Sequence, residues 1–156
     1  MTQPEVTFFD FESDFVEENM KCIPMIVRYK LDASGIKLKL SEWSKMTKTE
    51  REALATMPTE TGKDCLAYRT SLANLIKVKT GNDAMMLSAD AIDRSWADTG
   101  TVPGNLAKKV EAMNVVISVD KWSKLTILQR FALCKLAGSN HESKNLVRAL
   151  REFALI

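Results

Sequence analysis

One stretch of this chain occurs twice, and any fold it adopts must accommodate both copies. Residues 36–57 read IKLKLSEWSKMTKTEREALATM and residues 115–136 read VVISVDKWSKLTILQRFALCKL. At an offset of 79, Trp43, Ser44, Lys45, Thr47, Arg51, Ala53 and Leu54 fall on Trp122, Ser123, Lys124, Thr126, Arg130, Ala132 and Leu133. Outside this core, Pro24 meets Pro103, Lys30 meets Lys109, Ala33 meets Ala112 and Arg69 meets Arg148. The correspondence spans residues 24–76 and 103–155 and reads as an internal duplication. A repeat organises a fold but names no chemistry.

Each copy opens on a proline suited to a helix start, and Gly35 is placed to end the first helix as a left-handed residue. Met25, Val27, Tyr29 and Leu31 interleave with Arg28, Lys30 and Asp32, however, an alternation that also fits a strand. Residues 104–113 form the counterpart. Ile36, Leu38 and Leu40 alternate with Lys37 and Lys39 like a strand with one wet face. The nearly all-apolar residues 115–119 suit a strand buried on both sides. Two such strands need helices to lie against, which predicts a small two-stranded ribbon between helices. Thr47 with Glu50, and Thr126 with Gln129, form capping boxes that start helices running to about Met57 and Ala137. Ile127, Phe131 and Cys134 make the second copy the more deeply buried. Final helices carry the stripes Cys65, Tyr68, Leu72, Leu75, Ile76 and Leu146, Leu150, Phe153, and residues 82–100 connect the copies with short helices around Trp96. The expected fold is mainly α (α+β), with two duplicated helix–short strand–helix–helix units related by a pseudo-two-fold.

A length of 156 residues suits one domain, 1–156, with a real core. A net charge of +2 does not argue for nucleic acid. The charges are nevertheless uneven: residues 1–20 form an acidic aromatic arm with Glu5, Asp10, Glu12, Asp14, Glu17 and Glu18 and no basic residue, while lysine and arginine dominate after Asn105. The two regions can attract each other or steer separate partners. In the arm, Phe8, Phe11 and Phe15 have helical spacing and Phe9 and Phe11 alternate like a strand, with a short helix expected from Ser13. No apolar run approaches the roughly 20 residues that span a bilayer, and no secretory signal opens the chain. Three separated cysteines, Cys22, Cys65 and Cys134, suit reduced thiols in the cytoplasm.

Enzyme signatures are missing: there is no C-x-x-C, no Walker A loop and no G-x-G-x-x-G, and the single histidine, His141, sits at a helix start where capping suits it. No catalytic residue, metal site or cofactor is expected. Trp43 and Trp122 suit packing wedges, with partner anchoring as the alternative. Arg51 and Arg130 suit pairing with a neighbouring acid, with anion binding as the alternative. Cys65 and Cys134 lie on apolar stripes as core thiols, whereas no periodic pattern buries Cys22.

Residues 9–43, FDFESDFVEENMKCIPMIVRYKLDASGIKLKLSEW, contain an F-x-F-E-x-D-F opening, then C-I-P-M, V-R-x-K-L-D and G-I-K-L-x-L-x-x-W at fixed spacing. This long run resembles the nitrate reductase-associated protein family, known from cyanobacteria and other bacteria. The similarity continues at lower density through the second W-S-K-L-T.

The resemblance implies a cytoplasmic, non-catalytic, chaperone-like accessory protein in nitrate assimilation. Such a protein would serve assembly or maturation of the assimilatory nitrate reductase by binding its polypeptide, with neither nucleic acid nor membrane as partner. The alternative is a regulatory or cofactor-handling protein carrying a molybdopterin or metal cluster through Cys22. The expected contact surface is the recognised run: Phe9, Phe11, Phe15, Cys22, Arg28, Lys30 and Asp32.

Overall fold

Proline tolerates the first turn of a helix because an amide there has no intrahelical acceptor. Glycine ends one where the backbone must turn left-handed. The computed structural model describes residues 8–13, 20, 22–139 and 143–156, and it shows this punctuation at work. A 3-10 turn at Asp10–Glu12 leads to α1 (Met25–Ser34), α2 (Leu40–Ser44), α3 (Lys48–Thr56) and α4 (Gly62–Thr80). Two further 3-10 turns, Ala89–Ala91 and Ser95–Ala97, precede α5 (Gly104–Glu111), α6 (Val119–Lys124), α7 (Ile127–Ala137) and α8 (Ser143–Glu152). Pro24 is the N-cap of α1 and Pro103 that of α5. The chain divides into two compact units, Met1–Ile92 and Asp93–Ile156, with the boundary inside the 82–100 connector. Helices α1, α2 and α3 open at Met25, Leu40 and Lys48; α5, α6 and α7 open 79 residues later in each case.

Both expected capping boxes form. The Glu50 amide donates to Thr47 Oγ1 at 3.1 Å and the Thr47 amide to Glu50 Oε1 at 2.8 Å. Gln129 and Thr126 reproduce this at 3.1 and 2.9 Å. Thr61 and Asp64 make a third box at the start of α4. At the other end, α1, α5 and α8 each close with a residue at positive φ: Gly35 at 71°, Asn114 at 61° and Ala154 at 58°. The amide after each returns to a carbonyl of the last turn: Ile36 to Leu31, Val115 to Val110 and Leu155 to Leu150. This is the Schellman arrangement.

In the first unit α1 packs on α3 and α4, and α2 packs on α4. Val27, Leu31, Trp43, Leu54, Tyr68, Leu72 and Ile76 fill the core between them. The Tyr68 hydroxyl donates to Leu54 O at 2.7 Å, and burial pushes the phenol's pKa above its ordinary value. In the second unit α7 packs on α5, α8 and the Ser95–Ala97 turn. Leu106, Val110, Phe131, Leu133, Leu136, Leu146 and Leu150 are buried there, and Trp96 meets Phe131 edge-on at 5.8 Å. Among the described residues no helix is long and apolar enough to cross a membrane.

The fold is mainly helical, but the β part of the expectation is overturned: no strand forms among the described residues. Residues 36–40 contribute only an isolated antiparallel bridge between Ile36 and Met86. Ile36 and Leu38 are buried while Lys37 and Lys39 are exposed, so the alternation is real. It is met by extended chain laid on helices, with no partner strand among the described residues. The second run is not buried on both sides either, because Val116 is 86% exposed and only Ile117 turns inward. Ser118 then caps α6, its Oγ accepting from the Lys121 amide at 3.2 Å, and turns the chain helical at Val119. The helix–short strand–helix–helix unit is therefore helix–extended segment–short helix–helix–helix. The two-stranded ribbon is absent among the described residues. Ile127 is exposed instead of buried, and Cys65 and Cys134 are half-buried, because the helix faces that bear them are only partly covered.

Replacing Thr47 or Thr126 with alanine is expected to lower unfolding stability by about 1 kcal/mol each. The denaturant midpoint should fall with an unchanged slope; unshifted midpoints would show that the boxes contribute nothing.

Candidate functional site

The recognised run begins with a carboxylate that has left the solvent. Glu12 is 2% exposed; its Oε1 accepts from the Met25 amide at 3.1 Å and its Oε2 from the Phe9 amide at 3.4 Å. Met25 is the first residue of α1, so its amide has no intrahelical acceptor and lies at the positive end of the helix dipole. One side chain thus ties the N-terminal segment to α1. Phe9 and Phe11 stack beside it with ring centres 5.3 Å apart; Phe11 is buried and Phe9 half-buried.

A second tie holds Met20, a buried residue with φ of 48°. Its carbonyl accepts from Trp43 Nε1 and, at 3.4 Å, from Arg51 Nη1. Arg51 also donates from Nε to Trp43 O at 3.1 Å and from Nη2 to Ser44 O at 3.2 Å, with its guanidinium 5.4 Å from the Trp43 ring centre. The second unit repeats these duties. Trp122 Nε1 donates to Asp98 O at 2.8 Å, Arg130 Nε to Trp96 O at 2.8 Å, and Arg130 Nη1 to Leu125 O. Both tryptophans are fully buried, as expected of wedges. Sequence spacing suggested an acid or an anion for the arginines; their donors reach backbone carbonyls.

The expected contact residues divide by burial. Cys22 is a half-buried free thiol. Arg28, half-buried, donates from Nε to Ile23 O at 3.1 Å. Asp32 is half-buried one turn further along α1. Lys30 is buried, and its Nζ donates to Met57 O, which pins α1 to the end of α3. Desolvation lowers its pKa, against the opposing charge of Glu60. Phe15, most of the acidic arm and His141 lie outside the described residues. Sequence reasoning missed Glu12 and the Met20 carbonyl. The one signal for Glu12 was an acid set among phenylalanines, and a backbone acceptor leaves no signal.

Among the described residues no three His, Cys, Asp or Glu side chains gather as metal ligands. A cavity of about 310 Å³ in the second unit is lined by Asp93, Ser95, Gly104, Asn105 and Cys134. Burial pushes the Cys134 thiol from 9.0 up to about 11; Asp93 adds to this, while Ser95, Lys135 and Arg130 oppose it. At neutral pH it is a protonated thiol, poorly suited to nucleophilic attack or metal binding.

Two outcomes test this geometry. Glu12→Ala leaves two amides without their acceptor and should cost about 2 kcal/mol; an unchanged denaturation midpoint would contradict the tie. Because burial favours the neutral thiol, Cys134 contributes stability below its ordinary pKa of 9.0 that is lost as pH rises through about 11. Its alkylation by iodoacetamide at about pH 8, followed by mass spectrometry, should run roughly a hundredfold slower than in the unfolded chain. Equal rates would refute the shift.

No curated protein and no solved structure matches the chain. A family model does match, over residues 8–153, and is described as conserved nitrate reductase-associated protein. That span takes in Glu12, Met20, α1 and both tryptophan–arginine pairs, and with it the chain belongs to the nitrate reductase-associated protein family.

Proposed function

We propose that this protein is a non-catalytic accessory factor for assembly or maturation of the assimilatory nitrate reductase, acting in the cytoplasm by binding the reductase polypeptide. The observation that carries this reading is the family match over residues 8–153. The packing around α1 supports it in kind. The side-chain donors of Arg28, Lys30 and Trp43 go to backbone carbonyls and hold chain segments in place, as a binding scaffold requires. Phe9, Cys22, Arg28 and Asp32 are half-buried and retain surface for a partner. Phe11 backs Phe9 by stacking, and Lys30 fixes α1 from inside.

Deletion of the gene, with separate measurement of reductase protein, its molybdenum content and its activity, tests the function. A maturation role predicts normal reductase protein with low molybdenum and low activity; full activity in the deletion strain would sink it. Arg28→Glu is the surface variant of choice, since Lys30 is buried and its reversal would disturb the fold. It should weaken capture of the reductase while leaving the melting temperature within a few degrees, and undiminished capture would remove Arg28 from the contact. The purified protein should be colourless and metal-free. A bound cluster or molybdopterin in its absorption spectrum would favour a cofactor carrier.

A further inference from the structure

Residues 35–37 and 85–87 run antiparallel. The Lys37 amide donates to Met85 O at 2.9 Å and the Leu87 amide to Gly35 O at 2.8 Å, with Ile36 opposite Met86. Two bonds placed this way flank a non-hydrogen-bonded pair, so the N–H and C=O of Ile36 and Met86 point away from each other. Ile36 turns its amide back to α1, donating to Leu31 O at 3.2 Å. The N–H and C=O of Met86 point to the opposite side and meet no hydrogen-bond partner among the described residues. The side chains of Met85 and Met86 are 53% and 51% exposed. Lys37, paired through its backbone with Met85, is exposed and makes no ion pair among the described residues.

We propose that the outer edge of residues 85–87 is a docking site for an extended, apolar segment of the reductase polypeptide bearing an acidic residue. The proposal rests on the reading of this protein as a reductase-binding factor. The backbone decides the conformation of the occupant: an extended strand offers a carbonyl and an amide at the spacing that satisfies both Met86 groups, as in β-strand addition. The side chains decide its character. Two flexible thioethers adapt to varied apolar residues. Lys37, opposite Met85, attracts a carboxylate, and an exposed lysine also blunts indiscriminate edge pairing. The open edge is one residue long, so it selects a partner through side chains as much as through backbone.

The test measures binding of purified cofactor-free nitrate reductase to the unsubstituted protein and to Met86→Pro, which removes the amide donor. Hydrogen exchange at Met86 is followed in the complex. The expected result is binding that weakens about tenfold in Met86→Pro, the loss of one backbone bond with its neighbours' fit. Exchange at the Met86 amide should slow on complex formation. The exchange measurement uses the unsubstituted chain, so it decides even where the proline variant fails to fold. Tight binding with unchanged Met86 exchange, or equal affinity of a folded Met86→Pro, overturns the docking site and leaves the accessory function standing. Failure of the unsubstituted protein to bind removes both.

Discussion

A buried indole N–H and a guanidinium withdrawn from water, fully for Arg130 and partly for Arg51, must find acceptors or forfeit stability, about 1–3 kcal/mol for a buried neutral group and more for a buried charged one. Here they find backbone carbonyls, and that choice sets where the chain must cross itself. Trp43 and Arg51 meet on Met20 O, a point 23 residues before the tryptophan. Trp122 and Arg130 reach Asp98 and Trp96, which likewise lie ahead of the helices that follow. Each pair is spaced so that the tryptophan sits in a short helix, a capping threonine starts the next, and the arginine arrives one turn later. The repeated letters W-S-K-x-T and the arginine four positions on therefore describe a clamp, with its jaw in the side chains and its grip on unlettered backbone.

That division explains what was legible. Prolines, capping threonines and the left-handed Gly35 act through local chemistry that their letters carry, and the helices they bound are where the sequence places them. Alternation at residues 36–40 carried a true message about burial but none about pairing. Ile36 and Leu38 face the core just as a strand would require, and the neighbouring backbone is extended. Whether such a segment joins a sheet depends on what lies beside it, which no residue in the segment encodes. Among the described residues, 85–87 come alongside for a single bridge.

The candidate site follows the same rule more severely. Lys30 and Arg28 read as polar residues offered to a partner, yet Met57 and Ile23 supply carbonyls that engage both. Glu12 read as one of six acids in an acidic arm and is the buried link between Phe9 and α1. A stretch in which acid, indole and amine bind distant backbone and a guanidinium binds backbone nearby is demanding in its letters at each of those positions. Such a stretch is a physical source for the distinctive run that carries the family resemblance, and it needs no reaction chemistry.

The left-handed residues that close α5 and α8 have a consequence for engineering. Gly35 occupies its conformation without a side-chain penalty, whereas Asn114 and Ala154 hold the same backbone turn with a Cβ attached. For alanine that conformation costs about 1 kcal/mol relative to glycine. Ala154 is exposed, so nothing packed depends on its methyl group. The second unit therefore keeps a reserve of stability at its C-terminal turn that a single glycine would release, without touching the core, the clamps or the open edge at Met86.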